Sequence, residues 1–143
     1  MKTFSLEIAA ERKSIPVLHR FIEESARELA IGADDVYDLK LALEEAVTNT
    51  ISHGSSRKEG TIRIELSKVE NTVVIHLWDE AKVFDPSAPS PTAFSGPLSE
   101  RPAGGMGLSF LRASVDEISH EEREGGGNHL TLRKVLSRPS LPE

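Results

Sequence analysis

Three polar residues stand four apart on one stretch of the chain: Glu45, Asn49 and His53 in LALEEAVTNTISHG, residues 41–54. At ~3.6 residues per turn a step of four advances only about 40° around a helix, so the three share one side. A Glu and an Asn one turn apart can bring their oxygens to a single hydrated Mg²⁺, or to a water beside it. That ion takes few protein oxygens and leaves its other positions to water and phosphate. The same residues also suit a solvated helix face with incidental polar groups, and ExxxN alone is a weak signal. Asp79 ends the apolar stretch TVVIHLWD. A carboxylate at the tip of a buried strand can accept from the amino group of a base, or simply cap the turn that follows. Gly104, Gly105 and Gly107 in AGGMGLSFL directly precede a helical segment. Glycines there let backbone N–H groups approach an anion closely, although a hinge or plain turn uses them too. No GxxxxGK[ST] and no GxGxxG after a strand occurs, which argues against a P-loop and a Rossmann site. His19, His53, His76, His120 and His129 are scattered without paired ligand spacing, so zinc hydrolase chemistry is unsupported.

These residues need elements to position them. TFSLEIAA alternates with Phe4, Leu6 and Ile8 on one face and predicts a strand. The stretch from Ser14 to Ile31 predicts a helix, with Val17, Phe21, Ile22, Ala26 and Leu29 as its apolar side, Ser14 as N-cap and Gly32 as stop. A second helix runs from Asp34 or Asp35 to His53, stopped by Gly54. Its core stripe is Val36, Leu39, Leu43, Val47 and Thr50, with Glu45 and Asn49 roughly opposite and Ala42 and Ala46 flanking them. TIRIELSKV and TVVIHLWD predict a hairpin turning at ENT, GLSFLRASV a short helix, and EISHEE with NHLTLRKVL a closing hairpin around GGG. The order β-α-α-β-β-α-β-β implies a two-layer α/β sandwich, with helices on one face of a mixed, mostly antiparallel sheet. Residues 80–104 hold five of the eight prolines and read either as a functional lid or as a tolerated insertion; SRPSLPE reads as a frayed tail.

Composition bounds the function. The chain has 143 residues, room for one domain with a proper core, and its 38% hydrophobic and 28% charged residues are ordinary for a globular protein. No apolar run approaches the ~20 residues of a membrane span, and the N-terminus lacks an apolar signal core. The absence of cysteine excludes disulfides and thiolate metal sites and suits a reducing cytosol. A net charge of −6 argues against bulk nucleic-acid binding. It leaves phosphate ligands open, because backbone N–H groups and a metal can hold them.

Taken in order, EEAVTN through HG, WDEAKVFDP, GGMGLSFLRASVDEI and GGNHLTLRK resemble the N, G1 and G2 boxes and closing strand of the GHKL ATPases. More narrowly, they resemble the bacterial anti-sigma-factor serine/threonine kinases. The likeness spans about residues 1–135, which would form one Bergerat-type ATP-binding domain with 80–104 as its lid and 136–143 as a flexible tail. It implies ATP and Mg²⁺ as cofactors. Glu45 matches the general base that helps a Ser or Thr hydroxyl attack the γ-phosphate, and Asn49 the Mg²⁺ ligand. His53 matches the end of the N box, where it would contact phosphate or merely pack. Asp79 matches the acceptor from the adenine amino group, with Ala81 two residues on. Gly104, Gly105, Met106, Gly107 and Leu108 form the G2 segment, whose backbone would meet the phosphates. Arg101 would pair with the γ-phosphate or a partner protein, or stay solvated. Asn128 lies near where relatives carry a Thr close to adenine.

The G1 box departs from the family's Asp-x-Gly-x-Gly pattern, with Ala81 at the first glycine and Val83 at the second. Ala is tolerated there if φ is negative; Val would be strained at positive φ. The resemblance implies two partners: a sigma factor to sequester and a STAS-type anti-sigma antagonist to phosphorylate. A homodimer is common among members. Two other readings stand beside it. One is a nucleotide-sensing or nucleotide-free binding module without transfer activity, motivated by the G1 changes. The other is a histidine-kinase catalytic domain acting on a phosphoacceptor in trans.

Overall fold

In the computed structural model, residues 2–53, 60–81 and 114–137 are described below. Strand β1 (Thr3–Ala9) leads through a 3-10 turn (Arg12–Ser14) into helix α1 (Ile15–Glu28) and helix α2 (Ala33–His53). Strands β2 (Thr61–Val69), β3 (Thr72–Asp79), β4 (Glu117–Glu122) and β5 (Asn128–Val135) complete the sheet. The strand order is β1-β2-β3-β5-β4, and every pairing is antiparallel.

Period-two alternation turns one sheet face toward the helices. Ile62, Ile64 and Leu66 of β2, Val73, Ile75 and Leu77 of β3, and Leu130 and Leu132 of β5 are buried there. They pack with Leu18 and Ile22 of α1 and Leu39, Leu43 and Val47 of α2 in one core. The α1 seam runs through Leu18, Ile22, Ser25 and Ala26, while Val17 stays 41% exposed. The expected apolar side was therefore set one residue off at its start.

Two helix boundaries differ from the expectation. Ser14 makes no side-chain cap, because the preceding 3-10 turn already gives it helical dihedrals. Helix α1 ends at Glu28, four residues before Gly32. There Ile31 N–H donates to Ala26 O (2.9 Å) and Ala30 N–H to Arg27 O (3.3 Å), a Schellman closure with Ala30 at φ +55°. Gly32 instead opens α2, its carbonyl accepting from Val36 N–H at 3.0 Å.

The end of β5 is tied to the start of α2. Buried Asp35 accepts from Ser137 N–H (2.9 Å) and Ser137 Oγ (2.7 Å), and Lys134 Nζ lies 3.2 Å from Asp38. Leu136 is buried, so ordered packing reaches past residue 135. The helix expected at 107–115 and the segment 82–113 lie outside the described residues, apart from buried Ser114 and Val115 at the helix's end. No helix among the described residues is long and apolar enough to cross a membrane.

Candidate nucleotide site

Asp79 is the last residue of β3 and faces the helices, as the alternation of that strand requires. It is 5% exposed. Its Oδ1 accepts from Ala81 N–H (2.9 Å), a local Asx turn, and from Asn128 Nδ2 (2.9 Å) on the neighbouring strand. Its Oδ2 lies 3.2 Å from Thr50 Oγ1 of α2; that hydroxyl is also 3.1 Å from Ala46 O, and its single hydrogen serves one acceptor at a time. A carboxylate offers about four acceptor positions. Oδ1 uses two and Oδ2 at most one, so among the described residues Oδ2 keeps a position open. Beside it lies a pocket lined by Ala10, Thr50, Ile51, Gly60, Thr61, Asp79, Glu80 and Ala81.

The backbone of Asp79 is fixed from the other side. Arg123 Nη1 donates to Asp79 O at 2.9 Å. The glycine turn of the β4–β5 hairpin presses against the same carbonyl: a Cβ on Gly127 would meet it at 2.2 Å, and Gly127 has φ +102°. Ala81 does not have a positive φ, so alanine at the first G1 glycine position carries no left-handed strain. Val83 lies outside the described residues.

Helix α2 supplies the second part of the site. Asn49, expected on the polar side, is 6% exposed, and Ala42 and Ala46 are buried as well. The packed face of α2 is thus wider than the apolar stripe, because small alanines let the helix lie close to its neighbours. Asn49 Nδ2 has no hydrogen-bond partner among the described residues. A buried carboxamide with an unpaired end is costly unless a ligand completes it. The unpaired end is an N–H₂ donor, so an acceptor such as a phosphate oxygen of a ligand fits that need. The carboxamide oxygen is the end that could meet a cation. One turn earlier, Glu45 is half-buried; burial pushes its carboxyl above the usual range, and the Glu44 charge adds to this. Glu44 Oε1 in turn lies 2.9 Å from His19 Nε2 on α1, although the angle does not make a hydrogen bond.

The structure therefore brings Thr50, Asp79, Ala81 and Asn128 together, with Asn49 next to Thr50 on α2 and Glu45 one turn before Asn49. The side chain of His53, Arg101 and the segment Gly104, Gly105, Met106, Gly107 and Leu108 lie outside the described residues. Sequence reasoning passed over Thr50, which it assigned to the core, and Arg123, Gly127 and His120. The GGG run was the available signal for Gly127, but it read only as a turn.

Known proteins resemble this chain in sequence and fold. The model of the histidine kinase-like ATPase domain family matches residues 8–134. A protein named serine-protein kinase RsbW from Halalkalibacterium halodurans is 27% identical, over 98% of this chain and 87% of its own length. A protein named anti-sigma F factor from Clostridium beijerinckii is 34% identical over 73% of each chain. Among solved structures, one holding RsbU and RsbW domains of a Mycobacterium tuberculosis protein superposes with a TM-score of 0.70 at 20% identity. That match covers 98% of this chain and 34% of that one, and supports the fold alone. By family match, relatives and fold, the chain belongs to the histidine kinase-like (GHKL) ATPases, in the anti-sigma-factor serine kinase family.

Proposed function

We propose that this chain is a cytoplasmic anti-sigma-factor kinase. It binds Mg·ATP, phosphorylates a Ser or Thr of a STAS-type anti-sigma antagonist, and sequesters a sigma factor. The observation that carries the reading is Asp79, with an acceptor position open beside the pocket among the described residues, together with buried Asn49 on α2, whose Nδ2 has no partner among them.

Each residue then has a task. Asp79 accepts from the exocyclic amino group of adenine, with Thr50 and Asn128 fixing the carboxylate. The oxygen of Asn49 holds Mg²⁺, which when bound neutralises charge on the phosphate oxygens. Glu45 takes the proton from the target hydroxyl as that oxygen bonds to the γ-phosphorus and ADP leaves. A carboxyl pushed upward by burial suits a base working near neutral pH. Such transfer depends mostly on positioning and charge neutralisation, so few side chains suffice.

The test is calorimetric titration with ATP, with and without Mg²⁺, on the wild type and Asn49→Ala. Magnesium-dependent binding that Asn49→Ala loses supports the site, and a phosphorylated antagonist completes the case. Binding without magnesium dependence, or unchanged in the variant, removes Asn49 from the metal.

A further inference from the structure

Asn128 sits between two groups with fixed hydrogen-bonding needs. Its Nδ2 is 2.9 Å from Asp79 Oδ1, and its Oδ1 is 2.6 Å from His120 Nε2. A carboxylate only accepts, so the carboxamide must turn its NH₂ toward Asp79. The carbonyl end then faces His120 and also only accepts, so His120 Nε2 must carry a hydrogen. The three residues lie on adjacent strands, β4, β5 and β3, on the helix-facing side, with Asp79 and Asn128 directly paired. Asn128 is 6% exposed, which leaves little water to substitute for a lost partner.

Asn128 Nδ2 also has a second acceptor within reach, Ala81 O at 3.5 Å. The terminal torsion of an Asn is broad and has no steep well of its own. Removing the His120 donor takes away a contact that orients the carboxamide and favours its turning toward Ala81 O, away from Asp79. We infer that His120 is a positioning residue for nucleotide-base recognition: by donating to Asn128 Oδ1 it holds the carboxamide against Asp79. Asp79 in turn keeps its open acceptor position toward the pocket. This rests on the reading of Asp79 as the group that recognises the base.

The test compares ATP with purine riboside triphosphate, which lacks the exocyclic amino group, by calorimetry in the presence of Mg²⁺. The wild type should prefer ATP by about tenfold, the worth of one hydrogen bond to a charged acceptor. His120→Ala should lose most of that preference while holding purine riboside triphosphate as tightly as before. His120→Gln keeps an N–H donor and should restore the preference. His120→Glu has similar length but only accepts, and should fail to restore it. Packing alone would treat Gln and Glu alike, and that result overturns the inference, as does a preference that survives in His120→Ala. Asp79→Asn separates the two levels. If it leaves the preference intact, or if the wild type shows none, the base reading falls and the inference with it. If Asp79→Asn abolishes the preference and His120→Ala does not, only the inference about His120 falls. Nitrogen-15 spectra of the ligand-free protein give an independent signature: His120 Nε2 must appear protonated in the neutral ring, and an unprotonated Nε2 overturns the proposal.

Discussion

Gly127→Ala tests how tightly the hairpin turn clamps the end of β3. Two costs add. An L-residue at φ +102° is strained by about 1–3 kcal/mol. The new Cβ would also lie 2.2 Å from Asp79 O and 3.0 Å from Glu80 Cα, backbone atoms that cannot rotate away. Forcing β3 and β5 apart to relieve this overpacking costs a further ~1–3 kcal/mol. The total is about 2–6 kcal/mol. Unfolding entropy for 143 residues makes each kcal/mol worth roughly 3 °C, so Tm should fall by about 6–18 °C. Gly126→Ala is the control. Its φ is +105°, yet a Cβ there meets nothing within 4 Å, so only the strain remains. Calorimetric melting of both variants should separate them by about 2 kcal/mol. ATP affinity should drop in Gly127→Ala alone, because only that substitution moves Asp79. Equal melting drops in the two variants would refute the close approach as a constraint on the site.

Three further outcomes are expected. Ala30→Gly should raise stability by about 0.5–1 kcal/mol in chemical denaturation, since relief of the left-handed conformation at φ +55° outweighs glycine's greater unfolded freedom. For Glu45 the fold favours the proton, so stability is full below the ordinary carboxylate range and declines as pH rises from there through the raised folded value. Glu45→Gln should therefore melt higher than wild type at neutral pH, converge with it below about pH 4, and lose phosphoryl transfer. For His76, burial lowers the pKa, neighbouring His129 and Arg133 add to this, and Glu65 opposes it. The unfolded chain then takes up the proton first, so stability present above about pH 6.5 is lost as pH falls through the folded value. His76→Asn should flatten that decline. Trp78, the only tryptophan, stacks on His76 and His129, so its fluorescence should follow the transition in wild type.

Local pattern made much of the architecture legible. The alternation in TIRIELSKV and TVVIHLWD reports strands with one buried face, and their ranges agree with β2 and β3. LALEEAVTNTISH reads as helix because its spacing needs no distant partner to be recognised. The position of Asp79 at a strand's tip, and of Glu45 and Asn49 one turn apart, follows from sequence spacing alone. Even the α1 seam erred by only one residue, at Val17.

What escaped depends on contacts between residues remote in the chain. Gly32 read as a helix stop, but Ile31 has to reach the core, so the chain leaves α1 earlier through Ala30 and the glycine opens the next helix. Asn49 read as part of a polar face, yet it is buried because Ala42 and Ala46 allow close packing, which helical periodicity does not report. Asp79 and Asn128 are 49 residues apart, and only the β3–β5 register sets them opposite one another. The same register carries Gly127 onto the Asp79 carbonyl and, through β4, His120 onto Asn128. By itself, then, the sequence determined which segments become strands and helices and which residue types could meet a nucleotide. The tertiary structure decided how the carboxylate is held, because hydrogen-bond geometry between strands is fixed by sheet register and not by the spacing within any one strand.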